Sequence, residues 1–267
     1  MTPIINRSTA LLLAGLAFSG HLLAEETGAP VAEPAPASMI DPAAIQSLER
    51  MGEYLRGLTA FSLRADDTVD EVLDSGQKIQ LTKTVEIQAR KPDRLRASVE
   101  TDRKAREFFY DGKHFTLLTP ETGYYATVPA PSSIRELVDE IEVKYDIEFP
   151  LVDLFRWGEN PEATAEIQEA MRVGTSRIGG QLADHYAFRQ DGIDWQIWIA
   201  QGPVPLPLRY VIVTTDEPGE PQYMANLTWD TQARPDDAIF VFTPGKDDRP
   251  IDIVQNSAPA TPEESPK

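Results

Sequence analysis

The stretch Ile79-Gln80-Leu81-Thr82-Lys83-Thr84-Val85-Glu86-Ile87-Gln88-Ala89-Arg90 decides the fold. Ile79, Leu81, Val85, Ile87 and Ala89 fall on alternate positions, with Lys83 in the same row, while polar side chains fill the other row. Successive side chains of a strand point to opposite faces, so this pattern buries one face and wets the other, as in an antiparallel sheet. The same period begins upstream, where Phe61, Leu63 and Ala65 alternate with Ser62, Arg64 and Asp66. Downstream, Leu95, Ala97 and Val99 follow the Lys91-Pro92 turn, and Asp111-Gly112 marks a hairpin between Phe108 and Phe115. A further turn over 119–123 leads into a strand from Tyr124 to Val128.

Helical spacing flanks these strands. Asp41 suits an N-cap and Pro42 a first helical position, and Ile45, Leu48, Met51, Leu55 and Leu58 then recur at three- and four-residue steps. Ser132 or Ser133 caps a second helix with the stripe Ile134, Leu137, Val138 and Ile141. Pro150 opens an apolar turn carrying Leu151, Leu154, Phe155 and Trp157, and Asn160-Pro161 starts a short helix reaching Ala170. Strands are then predicted over 171–178, 181–190, 195–200, 208–214, 223–230 and 239–242. The order predicts an α+β fold, a large curved and mostly antiparallel sheet with helices on one face.

Composition removes several classes of function. Forty-three acidic residues against 25 basic ones give a net charge of −18, which repels nucleic-acid phosphates. Without cysteine there is no disulfide, thiolate metal site, thiol nucleophile or lipidated cysteine. Residues 1–24 read as a secretory signal peptide, with Arg7 before the apolar run Leu11 to Phe18 and Ala24 before the cut. Residues 25–38 form a Pro/Ala-rich leader and 255–267 a tail of like composition, both expected to be disordered. The expected folded unit is 39–254, a soluble periplasmic monomer without a transmembrane anchor. His114 and His185 lie in predicted strands, and no Gly-x-Ser-x-Gly elbow, HExxH or EF-hand loop accompanies them. The reading is therefore non-enzymatic, with no metal and no cofactor.

Four motifs occur in a telling order: Lys91-Pro92-Asp93-Arg94-Leu95-Arg96; Tyr110-Asp111-Gly112-Lys113-His114-Phe115; Trp198-Ile199 followed by Pro205-Leu206-Pro207-Leu208-Arg209; and Phe240-Val241-Phe242-Thr243-Pro244. Over 39–254 the chain resembles the LolA/LolB lipoprotein carriers and LppX-type lipid-binding proteins, and most closely an uncharacterised predicted-periplasmic family related to them. The resemblance implies an unclosed β-barrel of about eleven strands with helices plugging or lidding its concave face. In the carriers that concave space accepts acyl chains.

Candidate ligand contacts follow from the rows. Leu81, Lys83 and Val85 come from the first strand quoted, Phe115 from the hairpin, and Phe155 and Trp157 from a Pro-bounded lid over 134–157. Trp195 and Ile197 share one face of their strand, and Tyr223, Leu227 and Trp229 form another row. Burying an acyl chain contributes roughly 0.8 kcal/mol per methylene, so no ionic anchor is needed. Lys83 either meets a headgroup or snorkels to the rim. A Trp229→Ala loss of uptake without loss of folding distinguishes cavity wall from core. The expected function is non-enzymatic binding of a lipid or lipoprotein acyl chain. The alternative is a protein-interaction or envelope-stress sensor module with an envelope protein as partner.

Overall fold

In a computed structural model, which describes residues 39–156 and 164–255, the quoted stretch lies in strand β2 (Lys78–Arg90). It pairs antiparallel with β1 (Ala60–Val72), setting Leu63 opposite Ile87, Ala65 opposite Val85 and Asp67 opposite Lys83. From β2 the chain winds through β3 (Arg94–Thr101), β4 (Ala105–Tyr110), β5 (His114–Thr119) and β6 (Tyr124–Pro129) as neighbouring antiparallel strands. A second meander runs through β7 (Glu169–Ile178), β8 (Gln181–Gln190), β9 (Ile193–Ala200), β10 (Pro207–Thr214) and β11 (Gln222–Asp230). β11 returns to pair with β1, joining the two meanders into one sheet. The short β12 (Arg249–Pro250) adds to β6 in parallel, so the sheet has 12 strands in the order β12-β6-β5-β4-β3-β2-β1-β11-β10-β9-β8-β7. Its two ends, β12 and β7, do not pair with each other, and the barrel stays open. The hairpin between β4 and β5 needs its glycine. Gly112 has φ +87°, and a Cβ there would lie 2.5 Å from Arg94 Nη1 and 2.7 Å from Asp93 Oδ2.

Helices fill the concave face. Helix α1 (Pro42–Gly57) starts where expected: Asp41 Oδ1 accepts from the Ala43 N–H at 2.9 Å, and Pro42, having no N–H, needs no acceptor. Its buried side, Ala44, Leu48, Met51 and Leu55, faces the sheet, and Ser47 meets the Tyr186 hydroxyl of β8 at 2.8 Å. Helix α2 (Ile134–Tyr145) is capped by Ser133 and buries Ile134, Leu137, Val138 and Ile141. The single turn α3 (Asp153–Arg156) sets Phe155 against Phe61 of β1, ring centroids 6.1 Å apart. Phe149, just before it, packs on Phe108 of β4 at 5.5 Å. The core is thus one continuous layer between these helices and the inner rows of the sheet.

Three expectations are corrected. The short helix does not reach Ala170, because β7 already begins at Glu169. There the Ala170 N–H donates to Met39 O and its carbonyl accepts from Asp41 N, so pairing with the N-terminal segment satisfies this backbone. Residues 239–242 do not form a strand: Asp236 caps a 3-10 turn (Asp237–Phe240) that drives Phe240 into full burial as a single knob. The outer face is also not uniformly wet. Over β4–β6 the segment after that turn covers it, with the Phe242 ring 5.3 Å from Phe109 and 4.8 Å from Tyr125. Phe109 and Thr116 are buried there, on the row opposite Phe108 and Phe115.

Candidate functional site

Much of the concave face is filled by side chains, but one end is not. A cavity of about 370 Å³ opens where β1 ends and β11 begins, between the sheet and the 148–152 segment. Val99, Phe108, Tyr210, Ile212 and Tyr223 form its sheet wall, and Phe149, Pro150, Leu151 and Val152 its roof. That volume falls within the range of small-ligand sites. Leu151 is held at φ +54°, a left-handed conformation that costs a non-glycine residue about 1–2 kcal/mol. Burial of its side chain in the roof offsets that cost.

The floor is polar. Asp67, on the inner row of β1, is fully buried and lies between Lys83 and Ala225 across the two neighbouring strands. Its Oδ2 accepts from the Tyr223 hydroxyl at 2.6 Å and pairs with Lys83 Nζ at 3.3 Å. Its Oδ1 is buried with no hydrogen-bond partner among the described residues. Lys83 also sits 4.9 Å from the centre of the Tyr223 ring, a cation–π position. Burial pushes the Asp67 carboxyl above its ordinary value, against the opposing pull of the Tyr223 hydrogen bond and the Lys83 charge. Burial likewise raises the Tyr223 phenol, helped by Tyr210 and Asp67, so it stays protonated and donates.

Three more charged side chains stand at the cavity: Lys104 in the β3–β4 turn, Arg106 on the inner row of β4, and Glu148 on the roof segment. Register brings the basic groups together, since Arg106 lies opposite Val99, Val99 opposite Val85, and Thr101 opposite Lys83.

Across residues 44–254 the chain matches the family described as predicted periplasmic protein, DUF2092. The chain belongs to the DUF2092 family. A search of curated proteins finds no match. Among solved structures, this DUF2092 protein is similar to LppX, a lipoprotein of Mycobacterium tuberculosis, at 13% identity and a TM-score of 0.40, over 70% of this chain and 94% of that one. It is similar to LprF of Mycobacterium bovis at 14% identity and a TM-score of 0.43, over 71% and 93% of the respective chains. It is also similar to a LolA superfamily protein of Nitrosomonas europaea at 10% identity and a TM-score of 0.34, over 74% and 97%.

Of the residues nominated for this DUF2092 protein, Lys83 and Tyr223 line the cavity. Lys83 does not snorkel free; it is drawn to Asp67. Val85, Phe115, Phe155, Ile197 and Leu227 are buried in the core, and Leu81 is half-buried opposite Val69. Trp195 stacks on Phe188 at 4.2 Å and donates to Gln190 Oε1 at 2.7 Å. Trp229 packs on Phe61 at 5.4 Å and donates to the Pro207 carbonyl at 2.8 Å. Trp157, the end of the expected lid, and the start of the short helix at Asn160-Pro161 lie outside the described residues, as do 1–38 and 256–267, where the signal, leader and most of the tail were expected.

His114 and His185 stand apart from the cavity. His185 stacks flat on Trp198 at 3.9 Å and shares a 2.9 Å hydrogen bond with Gln196, and burial lowers its pKa. His114 is exposed, 3.5 Å from Asp111. Among the described residues no group of His, Asp and Glu is arranged to hold a metal ion, and no helix is long and apolar enough to cross a membrane.

Proposed function

We propose that this chain is a soluble periplasmic binding protein that holds a hydrophobic chain in the cavity between β10–β11 and the 148–152 segment, without a covalent step. The supporting observation is a space of about 370 Å³ on the concave side of the sheet, whose apolar lining includes Val99, Phe108, Phe149, Leu151 and Ile212. That size suits a single medium-length hydrocarbon chain. The family's description as predicted periplasmic supports the compartment. Residues 1–24 would act as the cleaved signal, with 25–38 and 255–267 as loose ends to the 39–254 domain.

Purification from the native host, solvent extraction and mass spectrometry should recover a bound amphiphile. Ile212→Trp, which fills the cavity from the β10 wall, should remove it while leaving a cooperative unfolding transition. An empty extract, together with no calorimetric response to medium-chain amphiphiles, would overturn the reading. The protein-partner alternative draws on β7, an outer edge strand that the N-terminal segment pairs at Ala170 and that carries Met171 and Val173, more than half exposed, beyond that point. An edge of that kind suits strand addition by another chain. Under that alternative, Ile212→Trp would leave partner capture unchanged.

A further inference from the structure

We propose that the cavity selects an anionic single-chain amphiphile, tail inward, with its headgroup held by Lys104 and Arg106. The inference rests on the cavity-binding reading above and names the ligand's charge. The chain carries −18 overall, yet the charged groups facing the cavity are Lys83, Lys104, Arg106 and Glu148. Lys83 is committed to Asp67 at 3.3 Å, so its charge is matched on the floor. Lys104 and Arg106 make no ion pair among the described residues.

The acidic groups around them form no ion pair with either, although Glu121 accepts from the Ala105 N–H between them. Glu71 is taken by Arg103 at 2.9 Å, and Asp102 accepts from the Thr82 N–H at 2.6 Å and from its hydroxyl at 3.2 Å. Glu107 alternates to the outer face and pairs with Arg96 at 3.0 Å. Among the charged side chains that line the cavity Glu148 alone is acidic, so the lining itself carries an excess of positive charge. Two basic side chains without an ion-pair partner among the described residues, beside such a space, suit a carboxylate or phosphate ester. A cationic head would meet repulsion there, and a neutral head would leave the guanidinium and ammonium unmatched.

Calorimetric titration at low salt and neutral pH with dodecanoate, dodecanol and dodecyltrimethylammonium, all of one chain length, separates head from tail. Dodecanoate should bind about tenfold tighter than dodecanol, since a charge-assisted hydrogen bond is of that order, and the cation more weakly than either. Lys104→Gln with Arg106→Gln should close the gap between dodecanoate and dodecanol to within about twofold, and Glu148→Gln should widen it. Added salt should weaken dodecanoate preferentially. Equal affinity for dodecanoate and dodecanol, or a gap that survives the double substitution, overturns the headgroup assignment and leaves the cavity reading standing. Failure of all three probes, with Ile212→Trp indistinguishable from the parent, overturns both.

Discussion

Lys83→Met is expected to destabilise the domain by about 3–5 kcal/mol at neutral pH, the scale of a buried ion pair that loses one member. Met keeps the four-atom stem and removes the ammonium, so the ion pair with Asp67 and the cation–π contact with Tyr223 are lost while the packing of the stem remains. What remains is a buried Asp67 carboxylate with the Tyr223 hydroxyl at 2.6 Å on Oδ2 and no partner at Oδ1. Burial already raises the Asp67 pKa above the unfolded value of 3.8, and Lys83 is one of the influences holding it down. Without that charge it rises further.

The pH dependence has a definite sign. An acid whose folded pKa lies above its unfolded value contributes most to stability below the unfolded pKa, and that contribution is lost as pH rises through the folded pKa. Lys83→Met should therefore be mildest near pH 4 and most damaging at pH 7 and above. Chemical denaturation of parent and variant at both pH values checks this. Other carboxylates cancel in the difference, leaving Asp67. Adding Asp67→Asn to Lys83→Met should restore most of the loss at pH 7 and flatten the pH dependence, because removing both charges leaves no ion buried alone. A loss independent of pH would mean that the cost is packing and not charge.

That pair shows how far the sequence could be read. The row Phe61, Leu63, Ala65 continues, on the same period, to Asp67, and antiparallel pairing of adjacent strands sets Asp67 opposite the inward Lys83. Extending the alternation by one step would have turned an apparent stray lysine into half of an ion pair. The sheet was legible for the same reason: burial on one face writes a period of two into β1, β2 and β3. The cavity was not. A row states which face of the sheet a residue occupies, whereas depth beneath the helices depends on contacts between distant segments. Val85 and Lys83 share a row, yet one is core and the other floor. Lys104 belongs to a turn, so no periodicity could mark it; 148–152 falls inside the expected 134–157 lid, but no spacing there says which side chains turn to the cavity. The C-terminal cover over Phe109 and Tyr125 is another contact of this kind, joining residues more than a hundred positions apart.

Trp229→Ala is expected to cost about 3 kcal/mol of stability and to leave amphiphile affinity unchanged. Aromatic truncations in a core reach somewhat higher values, and the partial exposure of Trp229 places it at the low end. Two attachments are lost: the contact with Phe61, and the indole donation that satisfies the Pro207 carbonyl. Position decides the second half of the outcome. Trp229 shares the inner row of β11 with Tyr223, but six residues at about 3.3 Å each separate them by roughly 20 Å. The cavity lies at the Tyr223 end and Trp229 at the other, against Phe61 and the start of β10. A domain of ordinary stability, about 5–15 kcal/mol, stays folded after such a loss, so affinity remains measurable by calorimetry. Ile212→Trp should do the reverse, abolishing binding with the unfolding midpoint held or raised. If Trp229→Ala instead abolished binding at unchanged stability, the ligand would have to extend the length of β11 beneath α3, and the Phe149–Phe155 plug would have to open to admit it. The 5.9 Å edge contact between those rings, and the contacts of each with the sheet, set the resistance such an opening must overcome.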